Sequence, residues 1–422
     1  TRAGTTALVV VGERDKRTET LVFSNNVVDY EVVIGGADMA ELTLTMKVKI
    51  NPTVEQSEAL ALLGKNFTLC CNDISKWVFE NKTLSQKTIN AGVYHEMREK
   101  YGLLAQITQS AIRRVVASYR TVHATQKKWS IKPTFSSEGV DLLWNRDYTY
   151  SKKADLFSLP VMKGRTKVRP SWKGTPAKYR EGKFGTVRLL HRNGKWALHI
   201  PVTIEVPDPE TPERIVGVDM GINFLATSDD GRKTNFYPGR EVKQKRGHFK
   251  QLRSDLQKKG TRSARKRLKA IGSRENRYMK DVNHCVSKAL VTQSDTPTLF
   301  VLEDLSGIRN ATEKVRKKDR YVQVSWAFYQ LRQMIEYKAK LNGHQTIAVD
   351  PAYTSQTCPI CGHVARNNRN KKLHTFQCKN CGYQSNDDRV AAMNLRNIGF
   401  ELMKEQSLAS MTDKGGVLST TP

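Results

Sequence analysis

Acidic residues are scarce for the number of basic ones. In a chain of 422 residues, 41 Asp and Glu face 70 Lys and Arg, a formal charge of +29. A compact state this cationic repels itself unless a polyanion shares its surface. The sequence has no apolar run approaching the ~18 residues of a spanning helix, and its first residues lack the basic-then-apolar order of a signal peptide. Those absences leave nucleic acid as the expected polyanion, ahead of an anionic membrane surface, and suggest a cytoplasmic or nucleoid location. Cysteine is sparse and odd in number, at seven, which fits metal binding in a reducing compartment better than a disulfide framework. Apolar residues make up a modest 38%, enough at this length for two or three separate cores.

Four of the cysteines form two pairs, Cys358-Pro-Ile-Cys361 and Cys378-Lys-Asn-Cys381, with sixteen residues between them. At that spacing two knuckle turns present four thiolates to one tetrahedral zinc, and a closed four-thiolate shell is structural, not catalytic. Gly362 and Gly382 follow the pairs, where a tight knuckle needs backbone freedom. His363 and His374 are then expected to be surface or packing residues. Cys70, Cys71 and Cys285 lie in apolar helical patterns and read as core.

Residues 1–38 contain β-like runs, but a natural start fits best at Met39, so they read as an extension of unknown role. Lys47 to Ile50 reads as a strand, and Asn51-Pro52 as a helix start. Helical patterns follow to about residue 128, the clearest placing Ile107, Ala111, Val115, Tyr119 and Val122 on one face. From about 130 to 207 the pattern is β, with Asn193-Gly194 suited to a type I′ hairpin turn. Pro207, Pro209 and Pro212 form a stiff connector before the apolar strand opening at Ile215. Between Arg240 and Lys280 sixteen Lys or Arg face three acids. That stretch reads as a basic helical hairpin, with Arg265, Lys266, Arg267 and Lys269 expected to meet nucleic-acid phosphates. A helix is expected over 324–341, stopped by Asn342-Gly343, then a strand over Thr346 to Val349. From Gln406 the chain reads as a disordered tail.

A second constellation consists of acids at the ends of apolar strands: Asp219 after Ile215-Val-Gly-Val, Glu303 after Leu299-Phe-Val-Leu, and Asp388 seven residues past Cys381 and ahead of Ala391-Ala392. An acid closing an apolar strand is costly to bury alone, so a group of them suggests a cation among them. Phosphodiester cleavage by two hard cations needs bridging carboxylates of this kind.

The order Gly217-Val-Asp219-Met-Gly-Ile222, Leu302-Glu303-Asp304-Leu305, Tyr353-Thr-Ser-Gln-Thr-Cys358-Pro-Ile-Cys361-Gly362, then Cys378 to Asp388, resembles the RuvC and zinc-ribbon half of TnpB, an insertion-sequence-associated nuclease related to compact type V CRISPR effectors. The match covers about 211–400, and more loosely the chain from Met39. The resemblance implies a multidomain α/β protein: an RNase H-like RuvC domain with an inserted zinc ribbon, plus an N-terminal β-barrel (wedge) and a helical recognition lobe. By position these become 39–50 with 129–210 (wedge-like), 51–128 (recognition), 211–352 with 387–405 (RuvC-like), 353–386 (zinc ribbon) and 406–422 (tail). The resemblance also implies a guide RNA, a target double-stranded DNA beside a short adjacent motif, one structural Zn2+, and two catalytic Mg2+ held by Asp219, Glu303 and Asp388. Asp304 and Asp387 are the neighbouring acids not chosen. Val390 stands where the family commonly has Asn. Two other functions are open to such a chain: a guided DNA-binding protein with little or no cleavage, marked by a lost carboxylate, and a transposase that joins DNA ends.

Overall fold

The computed structural model describes residues 40–136, 139–192, 194–304 and 328–414, with side chains to 405 except that of residue 273. The expected extension over 1–38 and Val324 lie outside the described residues. The chain divides into two compact units, one ending at Glu205 and the other beginning at Val206.

The first unit opens with strand β1 (Glu41–Ile50), followed by helices α1 (Val54–Asn81), α2 (Gln86–Tyr101) and α3 (Ala105–Thr125). Thr53, not Asn51, caps α1: its hydroxyl accepts from the Gln56 amide while the Gln56 side chain accepts from the Thr53 amide, so a capping box moves the start past Pro52. On α3, Ile107, Ala111, Val115 and Tyr119 are all fully buried, as their spacing predicts. Then come β2 (Val140–Leu142), β3 (Thr149–Ser151), β4 (Leu156–Pro160), β5 (Arg165–Val168), β6 (Pro170–Ser171), the single turn α4 (Lys178–Glu181), β7 (Lys183–Phe184), β8 (Val187–Arg192) and β9 (Lys195–Glu205). Strands β8 and β9 pair Arg192 with Lys195, so the hairpin turn falls where expected. Gly194 there has φ +71°.

The expected barrel takes the form of two antiparallel sheets, one in the order β2-β8-β9-β1-β6 with β7 on β9, the other β3-β4-β5. Among the described residues no ladder joins β2 to β6. Strand β6 is two residues long and begins with Pro170, which has no amide hydrogen to donate to a further strand.

The second unit is built on a five-stranded sheet ordered β12-β11-β10-β13-β14. Its strands are β10 (Arg214–Asp219), β11 (Phe224–Asp229), β12 (Thr234–Pro238), β13 (Thr298–Glu303) and β14 (Gln345–Val349). The β10–β11 and β11–β12 pairs are antiparallel, whereas β10–β13 and β13–β14 are parallel. Every residue of β13 is buried, the mark of a central parallel strand. Helices α5 (Arg240–Lys259) and α6 (Arg262–Val291) form the basic hairpin, held together by Leu256, Ala264 and Ile271 with Phe249, Leu252 and Leu268 packed on them. Cys70 and Cys71 are core residues, but Cys285 is exposed. The buried face of α6 there runs through Asn283, Val286, Ser287 and Leu290, and the helical period turns position 285 away from it.

Helix α7 (Phe328–Leu341) ends at Gly343 with φ +72°, as Asn342-Gly343 predicts. A small sheet of β15 (Arg369–Asn370), β16 (Thr375–Gln377) and β17 (Gln384–Asn386) follows, and the chain continues into α8 (Asp387–Lys414). This helix passes Gln406, where a disordered tail was expected. Leu408, Ala409 and Met411 favour a helix, and no Gly or Pro interrupts it before Gly415.

Candidate active site

Parallel pairing brings the first two acids together. Val218 lies opposite Leu302, so Asp219 and Glu303 close two adjacent strands at the same edge of the sheet. The third arrives on α8, which lies directly over β10. A Cβ on Gly217 would collide with the Ala392 carbonyl, so glycine is what lets the helix approach. Arg396 on α8 donates to Asp229 on β11 (2.7 Å), fixing the helix's rotation. Asn386 caps α8, its side chain accepting from the amides of Asp388 and Arg389 (both 3.1 Å). Asp387 and Asp388 therefore occupy the first helical turn, where the helix dipole favours carboxylates.

The result is a crowded group of acids. Asp219 keeps partial access to solvent, yet burial raises its pKa well above the usual carboxylate range, and the charges of Glu303 and then Asp388 raise it further. Burial likewise lifts Glu303 to about 7, against the pull of the Thr354 hydroxyl, which donates to its Oε1 (2.9 Å). Asp388 is raised by burial first and by Asp387 second. Among the described residues the Arg369 guanidinium faces these four carboxylates: it donates to Asp387 Oδ2 (2.7 Å) and to Ser355 Oγ (2.9 Å), and lies 3.9 Å from Asp388.

Asp387, the acid not chosen, is fully buried and belongs to Arg369, with its Oδ1 left without a hydrogen bond. Asp304 instead pairs with Arg332 (2.8 Å) on a more exposed surface. His374, expected as a surface or packing residue, is partly exposed. Its ring bonds the Asn223 side chain (2.7 Å) and stands 3.5 Å from Asp387, and His374, Asp387 and Asp388 are close enough to share an ion. A cluster of buried carboxylates with one histidine at its rim, in which Asp387 Oδ1 has no hydrogen bond among the described residues, fits a hard divalent cation.

The four cysteine sulfurs all lie within 4.8 Å of one another, with Cys358–Cys381 and Cys361–Cys378 at 3.6 Å. Tetrahedral zinc with bonds of ~2.3 Å requires sulfur separations close to this, so the donor set fits zinc. Gly362 and Gly382 both have φ +73°, as the knuckles require. The backbone amide of His363, then the Asn380 side chain, lower Cys361 to about 6, favouring thiolate. Asn368 ties the knuckles together, donating to the carbonyls of Gln356 and His363 and accepting from the Lys379 amide. Val390 is fully buried against Cys358, Phe376 and Cys378, so it completes the module's small core.

The loop between β14 and the first knuckle joins the two sites. Asn394 on α8 donates to the carbonyls of Thr354 (2.6 Å) and Thr357 (2.8 Å). Tyr353 precedes Thr354 with φ +63°, a conformation that costs a bulky side chain on the order of 1–3 kcal/mol. Sequence reasoning missed Arg369, Ser355, Thr354 and Asn394 as site residues. Thr354 and Ser355 lay in a motif already singled out, whereas nothing local marks Arg369. The four basic residues Arg265, Lys266, Arg267 and Lys269 are exposed on α6, with no ion pair to another described residue.

An α/β sheet that gathers carboxylates at its parallel strand ends is followed by a four-thiolate module leading into the helix that carries the last acid. Residues 199–306 match the OrfB family of IS605 type, described as "Probable transposase", and residues 328–395 match the "Cas12f1-like, TNB domain" family. The TnpB-like protein MJ0751 of Methanocaldococcus jannaschii is 32% identical over 218 residues, which is 48% of this chain and 77% of that protein. The CRISPR-associated endodeoxyribonuclease Cas12f1 of Syntrophomonas palmitatica is 28% identical over 223 residues, 49% of this chain. The chain spans 42% of that relative's length. A cryo-EM structure of a Cas12f1–sgRNA–target DNA complex shares the fold with a TM-score of 0.57 at 17% identity, covering 82% of this chain and 83% of that one. The chain belongs to the TnpB-like family.

Proposed function

We propose that the protein is an RNA-guided DNA endonuclease. The observation that carries this reading is that Asp219 and Glu303 close adjacent parallel strands and Asp388 arrives on the helix packed over β10, so that burial first and neighbouring acids second raise all three, with the Arg369 guanidinium facing them. In this reading residues 211–352 and 387–405 are a RuvC-like nuclease domain, and 353–386 a zinc ribbon. The β region from 39–50 and 129–210 acts as the wedge, and 51–128 as the recognition lobe. Guide RNA would supply sequence specificity by base pairing, leaving the protein to hold phosphates and read a short adjacent motif. The relatives' names, and the excess positive charge, support nucleic-acid partners of this kind.

Asp219, Glu303 and Asp388 would hold two magnesium ions, which supply Lewis-acid stabilisation of charge on the phosphate and activation of water. The chain's own residues prepare that site. Thr354 fixes the Glu303 carboxylate through a hydrogen bond, Arg369 with Ser355 holds the start of α8 against the loop, and the Asn386 cap orients Asp388. Arg369 also offers a fixed cation beside the acids, suited to a phosphate oxygen. The cysteines would hold zinc structurally, keeping β15–β17 and the Arg369 side chain in place.

The test is cleavage of DNA matching the guide RNA that copurifies, in magnesium. Asp219→Ala, Glu303→Ala and Asp388→Ala should each bind the target while cutting falls by about 1,000-fold or more. Calcium should support binding without cutting. Full cutting by all three variants would remove the proposal.

A further inference from the structure

Tyr353 is more exposed than any other aromatic side chain among the described residues, at 63%. Its backbone is left-handed, with φ +63°, at the third position of the turn closed by the Thr354 amide on the Pro351 carbonyl. A turn with positive φ at that position ordinarily takes Gly or Asn, because a Cβ there crowds the backbone. The Tyr353 carbonyl is also occupied, accepting from the amides of Gln356 and Thr357 and from the Thr357 hydroxyl. The strained conformation is therefore locked by its neighbours. Neither packing nor backbone preference accounts for tyrosine here: the ring is mostly in water, and glycine would fit the turn better.

Its position supplies a reason. The next residue, Thr354, holds Glu303 by a hydrogen bond, and Ser355 holds Arg369, so the turn that projects Tyr353 is the same one that braces the carboxylate group. Consecutive Cα atoms are ~3.8 Å apart, so the backbone of Tyr353 lies one residue from the brace on Glu303. An exposed aromatic face beside a phosphate site suits an unpaired nucleobase, since every base offers a π surface and stacking tolerates sequence. We infer that Tyr353 is a stacking platform for an unpaired base of the DNA single strand entering the carboxylate group, the base being next to the phosphate held there. This rests on the nuclease reading above for the identity of the strand.

The experiment uses the full chain with Asp219→Asn to keep the strand intact, and DNA single strands carrying the fluorescent base 2-aminopurine at successive positions. With Tyr353 or Tyr353→Phe, fluorescence should be quenched at one position by stacking. Tyr353→Ala and Tyr353→Gly should abolish that quenching and weaken strand binding roughly 5- to 100-fold. Tyr353→Gly should meanwhile melt at or above the temperature of the tyrosine chain, because glycine relieves the turn. A fold defect thus cannot imitate the loss. Quenching at no position, or equal quenching and affinity in the glycine variant, would overturn the platform. Failure of the nuclease reading is a separate result: an Asp219 chain that leaves matched DNA uncut in magnesium while Tyr353-dependent quenching persists.

Discussion

The two metal-binding candidates in the second unit differ in almost every physical respect. The thiolate cluster is assembled from 24 consecutive residues, Cys358 to Cys381, while the carboxylate group draws on positions from Asp219 to Asp388. The His363 backbone amide favours the Cys361 thiolate while Cys381 is raised to about 12 by its neighbouring cysteines, and Val390, Phe376 and Asn368 form a small scaffold of their own around the four. The carboxylates disfavour one another's charged forms and depend on the sheet, on α8 and on the loop carrying Thr354 to stay together. A local cluster of soft donors behaves as a structural staple. A long-range cluster of like charges is held against its own repulsion, as a reactive centre must be.

That contrast can be tested on stability first. Cys378→Ser should reduce bound zinc from about one per chain to none and lower unfolding stability by at least about 3 kcal/mol, measured by metal analysis and denaturant melts. A zinc-free variant with parental stability would erase the distinction, leaving the thiolates no more structural than the acids. Arg369→Ala should cost a comparable amount, about 3–5 kcal/mol, because it leaves Asp387 fully buried without its guanidinium. Adding Asp387→Asn to that chain should recover part of the loss. If Arg369→Ala instead left stability unchanged while cutting vanished, Arg369 would belong only to the reaction. The smallest effect concerns neither cluster. Replacing Arg265, Lys266, Arg267 and Lys269 with Ala should flatten the dependence of log affinity on log salt by up to about 0.9 for each phosphate that is no longer neutralised, with zinc content and melting temperature unchanged. An unchanged slope would make those four residues a solvated face.

The same contrast explains what could be read from the residues. The thiolate module was legible to the residue because its geometry is set by short spacings, and the hairpin at Gly194 and the stop at Gly343 were legible for the same reason. Apolar strand ends flagged Asp219 and Glu303, but only the parallel register of β10 and β13 places them side by side. Arg369 was invisible because its partners, Asp387 and Ser355, lie 18 and 14 residues away across a sheet edge, and one arginine among many basic residues carries no periodic signal. Exposed Cys285 was misread because an apolar neighbourhood in a helix does not say which face a given residue occupies. Helix α8 outruns its expected end because helix-favouring residues such as Leu408, Ala409 and Met411 outweigh the polar composition of the segment.

The carboxylate group is destabilised by burial and by its own charge until a divalent cation joins it. Burial and neighbouring acids hold Glu303 near 7 and Asp219 above its ordinary range, so these two groups bind more protons in the cation-free fold than in the unfolded chain. The stability these two groups contribute should then fall as pH rises from the ordinary carboxylate range through about 7, and magnesium, which favours the ionised acids, should reverse that contribution. The direct measurement is the melting temperature of the parent chain and of Asp219→Asn at pH 8, each with magnesium and with a chelator too weak to remove zinc. The account predicts that Asp219→Asn melts higher than the parent without magnesium and that magnesium raises the parent far more than the variant. A variant that melts lower than the parent without magnesium, or a parent indifferent to magnesium, would contradict it.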